Sequence, residues 1–112
     1  MRLFARFLFM CSAISAQASD WQRLDGPGIE AALTGKRVEY TNGAIQRFSE
    51  TGFTEYIYGE PSFGGWGVRH GRYCSVWPPS DVWACYDVER TGDRLRFLGD
   101  HDDVTEGVLV SQ

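Results

Sequence analysis

The chain has 112 residues, 14% of them aromatic, with three cysteines and a formal charge of −4. That balance excludes a general nucleic-acid binder, which needs a basic footprint, and argues against attachment to an anionic membrane surface. The length allows one domain.

At the N-terminus, Arg2 and Arg6 flank the start of an apolar run from Phe7 to Ala16 that closes on Ala16-Gln17-Ala18. This is the pattern of a signal peptide over residues 1–18, cleaved before Ser19. The run is shorter than the roughly 20 residues a bilayer-spanning helix needs, so no stable membrane insertion is expected after cleavage. Cleavage removes two arginines and Cys11, leaving residues 19–112 two charges more negative and with Cys74 and Cys85 as the only thiols. An even pair in an exported chain predicts a disulfide in the periplasm or a secreted setting.

Asp25-Gly26-Pro27-Gly28 leading into residues 29–33 predicts one short helix, capped by Asp25 or Gly26 and stopped by Gly35. Ile29 and Leu33 lie four apart, one apolar stripe. Asn42-Gly43 then predicts a two-residue hairpin pairing Tyr40 with Ile45, with Val38 on the same face. Thr51-Gly52 separates a strand ending near Ser49 from one over Phe53–Tyr58, and residues 59–64 read as a looser connection.

The second half threads as hairpins around His70-Gly71, residues 78–81 and residues 90–93. Antiparallel pairing sets Val68 opposite Tyr73, Cys74 opposite Cys85, Tyr73 opposite Tyr86, and Tyr86 opposite Phe97. The register is chosen from the turns, yet it brings the two cysteines face to face. Period-2 alternation puts Trp66, Val68, Tyr73, Trp77, Val82, Tyr86, Val88, Leu95 and Phe97 on the core face. Ser75 and Ala84 face each other there and leave room for an indole.

Three surfaces could do work. On the outer face Arg72 and Arg96 flank Asp87, Arg94 opposes Glu89, and Arg69 lies beside Arg72. This reads first as a solvated ladder of ion pairs, and second as a site for a carboxylate or phosphate or for a protein partner. Val76, Trp83 and Leu98 form an apolar patch beside the disulfide, which the helix or Trp21 would cover or which would bind a partner. Trp66, Tyr73 and Trp77 outline a pocket inside the sheet. His70 in a turn and the consecutive His101-Asp102-Asp103 are poor ligand sets, so no metal site is assigned. No cofactor motif and no nucleophile motif is present, and no catalytic residue is assigned.

Several of these segments together resemble the small secreted domain-of-unknown-function proteins common in alphaproteobacteria. The segments are Leu24-Asp25-Gly26-x-x-Ile29 leading to Leu33-x-Gly35, Gly65-Trp66-Gly67-Val68, Tyr73-Cys74-x-x-Trp77 and Trp83-x-Cys85-Tyr86-x-Val88. The resemblance covers most of residues 19–112 and implies an exported disulfide-braced domain, with no activity to carry over.

The expected fold is mainly β: an antiparallel up-and-down meander of seven or eight strands, curled into a small barrel or a sandwich, with one short N-terminal helix. The first functional expectation is a periplasmic binding or inhibitor module that holds an envelope protein through loops 61–64 and 78–81. The alternative is a carrier of a small ligand in an internal pocket. An enzyme is the least expected reading.

Overall fold

A computed structural model describes residues 20–112 of the chain. The expected signal peptide and its cleavage position lie outside the described residues. Nine strands and one helix follow in order: β1 (Gln22–Arg23), α1 (Gly26–Leu33), β2 (Lys36–Tyr40), β3 (Ile45–Phe48), β4 (Phe53–Tyr58), β5 (Glu60–Arg69), β6 (Arg72–Val76), β7 (Ala84–Thr91), β8 (Arg94–Leu98) and β9 (Val104–Ser111).

Each strand from β2 to β9 pairs antiparallel with the next, and β9 returns to β2. The result is a closed eight-stranded up-and-down barrel. Closure leaves no long unpaired edge, which resolves the choice between barrel and sandwich. β1 is the ninth strand. It pairs with Glu89 and Arg90 of β7, beyond the three β7 residues that pair with β6.

Helix α1 closes one end of the barrel. Asp25 caps it, its side chain accepting from Gly28 N at 2.8 Å, and Pro27 stands in the first turn where a missing N–H costs nothing. Ile29 and Leu33 are fully buried against Val38, Phe48, Val88 and Leu95, so the predicted stripe docks inside the barrel. Gly35, at φ 72°, ends the helix and turns the chain into β2. The opposite end is framed by the β2–β3 and β4–β5 turns and by the segments 77–83 and 99–103.

The turns decide which side chains point inward. The β5–β6 hairpin turns on His70 (φ 52°) and Gly71 (φ 72°), giving Val68↔Tyr73, Cys74↔Cys85 and Tyr73↔Tyr86 as the sequence predicts. The Cys74–Cys85 disulfide joins β6 and β7.

Four expectations are corrected. The β2–β3 loop has three residues, Thr41-Asn42-Gly43, with Gly43 at φ 90°. Tyr40 donates its N–H to Ala44 O and accepts one from Gly43, so Ile45 pairs with Glu39 instead of Tyr40. A one-residue shift reverses the faces: Ala44, Gln46 and Phe48 point inward and are buried, and Ile45 points out. The β7–β8 hairpin is tighter than expected, with only Gly92 and Asp93 between Thr91 and Arg94, so Phe97 faces Val88 rather than Tyr86. A shift of two preserves the faces but changes every cross-strand partner. Finally, residues 61–64 belong to β5, with a turn at Gly59 alone, while β7 begins only at Ala84 and Val82 is 72% exposed.

Candidate functional site

The end of the barrel away from α1 is not filled. Alternation along β5, β6 and β9 brings the small side chains Ser62, Ser75 and Thr105 to its interior wall, and a cavity of about 340 Å³ remains among them. Eight-stranded barrels are just wide enough to fill with side chains or to hold one small ligand, so the size of the inward residues decides between these outcomes.

Six aromatic rings line the cavity as a continuous belt. In order they are Trp77, Tyr56, Tyr40, Phe97, Tyr73 and Tyr86, with consecutive centroids 6.1, 6.0, 6.0, 5.3 and 6.1 Å apart. Phe97, Tyr40 and Tyr73 are buried, whereas Tyr56, Trp77 and Tyr86 are half-buried.

A hydrogen-bonded network runs behind the belt. The Tyr40 hydroxyl donates to Gln46 Oε1 at 2.5 Å, and Gln46 Nε2 donates to Thr54 Oγ1 at 2.9 Å and to the Tyr73 hydroxyl at 3.0 Å. Thr54 passes its hydroxyl hydrogen to the Arg47 carbonyl at 2.7 Å. Tyr73 is also hydrogen bonded to Ser75, whose Oγ accepts from Trp77 Nε1 at 3.2 Å. Buried polar groups are tolerated when paired in this way.

Burial favours the protonated form of Tyr40, Tyr73 and Tyr86. Burial pushes Tyr73 up to about 12 against the opposing effect of its bonds to Ser75 and Gln46. Tyr40 stands well above its ordinary value, chiefly through burial and then through the neighbouring Tyr73, Tyr56 and Tyr86. Tyr86 is raised by burial, with Asp103 and Asp100 adding to it.

Of the pocket predicted from sequence, Tyr73 and Trp77 line the cavity and Trp66 does not. Trp66 packs edge-on against Phe48 at 5.4 Å and donates Nε1 to the Ser49 carbonyl at 3.0 Å, next to the β3–β4 turn. Alternation puts it inside but does not say at which level. The missed lining residues are Tyr40, Gln46, Tyr56, Ser62, Ser75, Tyr86, Phe97 and Thr105. Alternation signals Tyr86, Phe97 and Ser75, which it puts on the core face; it does not signal Gln46, because the two-residue hairpin expected at Asn42-Gly43 turns that side chain outward.

On the outside, Arg72 and Arg96 do not flank Asp87 as expected. Asp87 receives Arg72 at 3.2 Å and, from β1, Arg23 at 2.7 Å. Arg96 moves by the two-residue offset to Glu89 at 2.6 Å and lies over Trp21 at 4.3 Å. Arg94 accordingly leaves Glu89 and pairs with Glu106 on β9 at 3.2 Å. Arg69 stacks on Trp83, its guanidinium carbon 3.8 Å from the ring centroid. These five guanidinium groups therefore already have protein partners in place. The apolar patch is half-buried at Val76, Trp83 and Leu98. Its cover differs from expectation: α1 closes one end of the barrel, and Arg69 covers Trp83 instead. A shallow groove of about 480 Å³ runs beside it, lined by Arg72, Trp83, Cys85, Tyr86, Asp100 and Asp103 among others.

Among the described residues no helix is long and apolar enough to cross a membrane. The outward positions of the barrel carry the ion pairs just described, plus Arg47–Glu55 at 2.8 Å. Comparison with protein-family models, with curated proteins and with solved structures gives no match.

Proposed function

We propose that this chain is an exported small-ligand-binding barrel that takes its ligand into the aromatic cavity at the end opposite α1. The observation that carries this reading is the unfilled volume of about 340 Å³, bounded by six rings and a satisfied polar network. A barrel whose role was purely structural would gain stability by filling that volume, since voids forfeit packing contacts. Concave, largely aromatic sites with a few fixed polar groups are the usual form of small-molecule sites.

The lining side chains include no carboxylate, imidazole, amine or thiol. The reading is therefore binding without turnover. Export belongs to the same proposal: the Cys74–Cys85 bond supports an oxidising compartment, in keeping with the leader expected over residues 1–18. A protein-docking role loses one of its two loops, because residues 61–64 are strand, and retains only the segment around residues 78–81.

Thermal-shift screening of the oxidised protein against a metabolite library tests the reading. A true ligand raises the melting temperature by mass action, and its effect is lost in Thr105→Phe, which fills the cavity mouth. A library without hits, or hits whose shift survives Thr105→Phe and Ser62→Trp alike, overturns it.

A further inference from the structure

Resting on the cavity reading above, the geometry points to an organic cation, a quaternary ammonium or an alkylated amine, as the class of ligand that the barrel holds. Three independent features of the lining agree on this charge.

The first is the supply of donors. Only two lining side chains bear N–H groups, Gln46 and Trp77, and all of their hydrogens but one are accounted for at Gln46, where both amide directions are engaged by Thr54 and Tyr73. The indole hydrogen of Trp77 is committed to Ser75, and the Tyr40 hydroxyl hydrogen to Gln46. The remaining hydroxyls, those of Tyr56, Tyr73, Tyr86, Ser62, Ser75 and Thr105, can accept as readily as donate, so the cavity offers neutral polar groups and ring faces. A desolvated anion also needs a counter-cation, and the lining contains no Arg, Lys or His.

The second is the belt itself. Trp77, Tyr56, Tyr40, Phe97, Tyr73 and Tyr86 surround one volume with ring neighbours no more than 6.1 Å apart. The face of each ring carries negative quadrupole density, and desolvated cages of this kind are the known means of holding a quaternary ammonium, which has no hydrogen to donate, or an alkylated amine, which has few; both are weakly hydrated.

The third is the field behind the belt. Tyr86 lies between the cavity and the outer groove, and that groove holds Asp100 and Asp103. A Cβ built on Gly99 would stand 2.8 Å from the Tyr86 ring and 3.1 Å from Asp103 Oδ2, so the carboxylate lies close to the aromatic wall. The cation of the same groove, Arg72, is paired with Asp87 at 3.2 Å. The chain's net charge of −4 adds a general negative potential.

Isothermal titration calorimetry of the oxidised chain separates the class from the cavity. The probes are choline, benzyltrimethylammonium, neohexyl alcohol (choline's uncharged carbon isostere) and its anionic counterpart tert-butylacetate. The two cations are expected to bind at least about tenfold more tightly than the alcohol, with the anion weakest. Tyr56→Leu, which keeps apolar bulk and removes a half-buried ring, is expected to lower cation affinity about fivefold or more and to leave the alcohol less affected. Equal affinity for choline and the alcohol overturns the cation class, as does binding by none of the four. The cavity reading then stands if a library ligand still binds in a Thr105→Phe-sensitive way, and falls with it if none does.

Discussion

Gln46 and Tyr73 meet across the inside of the barrel: Nε2 donates to the phenol at 3.0 Å, although β4 and β5 separate their strands in the sheet. With Thr54 and Tyr40 also bound to the same amide, one side chain ties three strands besides its own. Gln46→Leu keeps comparable bulk and leaves two phenols and a hydroxyl to find other partners. Loss of about 1–3 kcal/mol in urea denaturation is expected, the cost of leaving buried polar groups unpaired. An unchanged midpoint would mean that water from the cavity replaces the amide at no cost.

The buried phenols make the fold sensitive to alkali. Tyr73 ionises near 10 when unfolded and at about 12 when folded, and Tyr40 is displaced in the same direction. Below pH 10 both states hold their protons and stability is constant. Above it the unfolded chain binds fewer protons, so stability falls as pH rises and continues to fall through about 12. The loss from Tyr73 amounts to about 2–3 kcal/mol. Denaturant midpoints measured from neutral to strongly alkaline pH check this. Tyr73→Phe should begin lower at neutral pH, since Gln46 loses an acceptor, and decline less steeply; an identical slope would show that Tyr73 does not govern the transition.

The extent to which this fold is legible in the sequence depends on turn chemistry. The β5–β6–β7 register follows from His70-Gly71, and it places the cysteines opposite each other without being fitted to them. Asn42-Gly43 misleads because Gly43 serves as the left-handed residue of a three-residue loop, and the difference of one residue turns Gln46 from surface to core. No local signal corrects it. The partners that make a buried glutamine tolerable, Thr54 and Tyr73, lie on other strands, and an isolated Gln in a strand reads as solvent-facing. The β7–β8 offset of two leaves the core face intact and rewrites the ion pairs, which is why Arg96 reaches Glu89. Trp66 shows a further limit: period-2 alternation fixes the face and says nothing about the level along the barrel axis, which is set by where α1 enters.

The disulfide closes the longest of the barrel's hairpin connections, with Cys74 and Cys85 lying 11 positions apart in sequence. Cross-linking them removes disorder from the unfolded chain, and the chain-entropy relation gives roughly 3 kcal/mol for a loop of this size. Replacing both with serine should lower the urea midpoint accordingly while leaving the far-ultraviolet spectrum in place at low temperature. Cys74 is fully buried, whereas Cys85 is half-buried and lines the outer groove, so reductant should attack the folded chain at the Cys85 sulfur and act faster still once urea is present. Resistance to reductant without urea would show that the groove is closed over Cys85.

Two glycines at strand positions separate the effect of space from that of backbone. A Cβ on Gly107 of β9 would stand 2.6 Å from Val38 Cγ1, 2.9 Å from the Glu39 carbonyl and 3.2 Å from the Tyr40 ring. The carbonyl belongs to the β2–β9 ladder that closes the barrel and cannot yield without opening it. Gly67 of β5 has nothing within 4 Å of the same position. Neither glycine has a positive φ, so the backbone accepts alanine at both. Gly107→Ala should therefore cost about 1–3 kcal/mol through overpacking, whereas Gly67→Ala should fall within about 0.5 kcal/mol of the parent or slightly above it, since alanine reduces unfolded-state freedom. Thermal melts of the two variants decide the matter. A large loss at Gly67 would reveal that the outer face of β5 is covered, and a small one at Gly107 would show that Val38 and Tyr40 shift into the cavity, which a matching loss of ligand affinity would confirm.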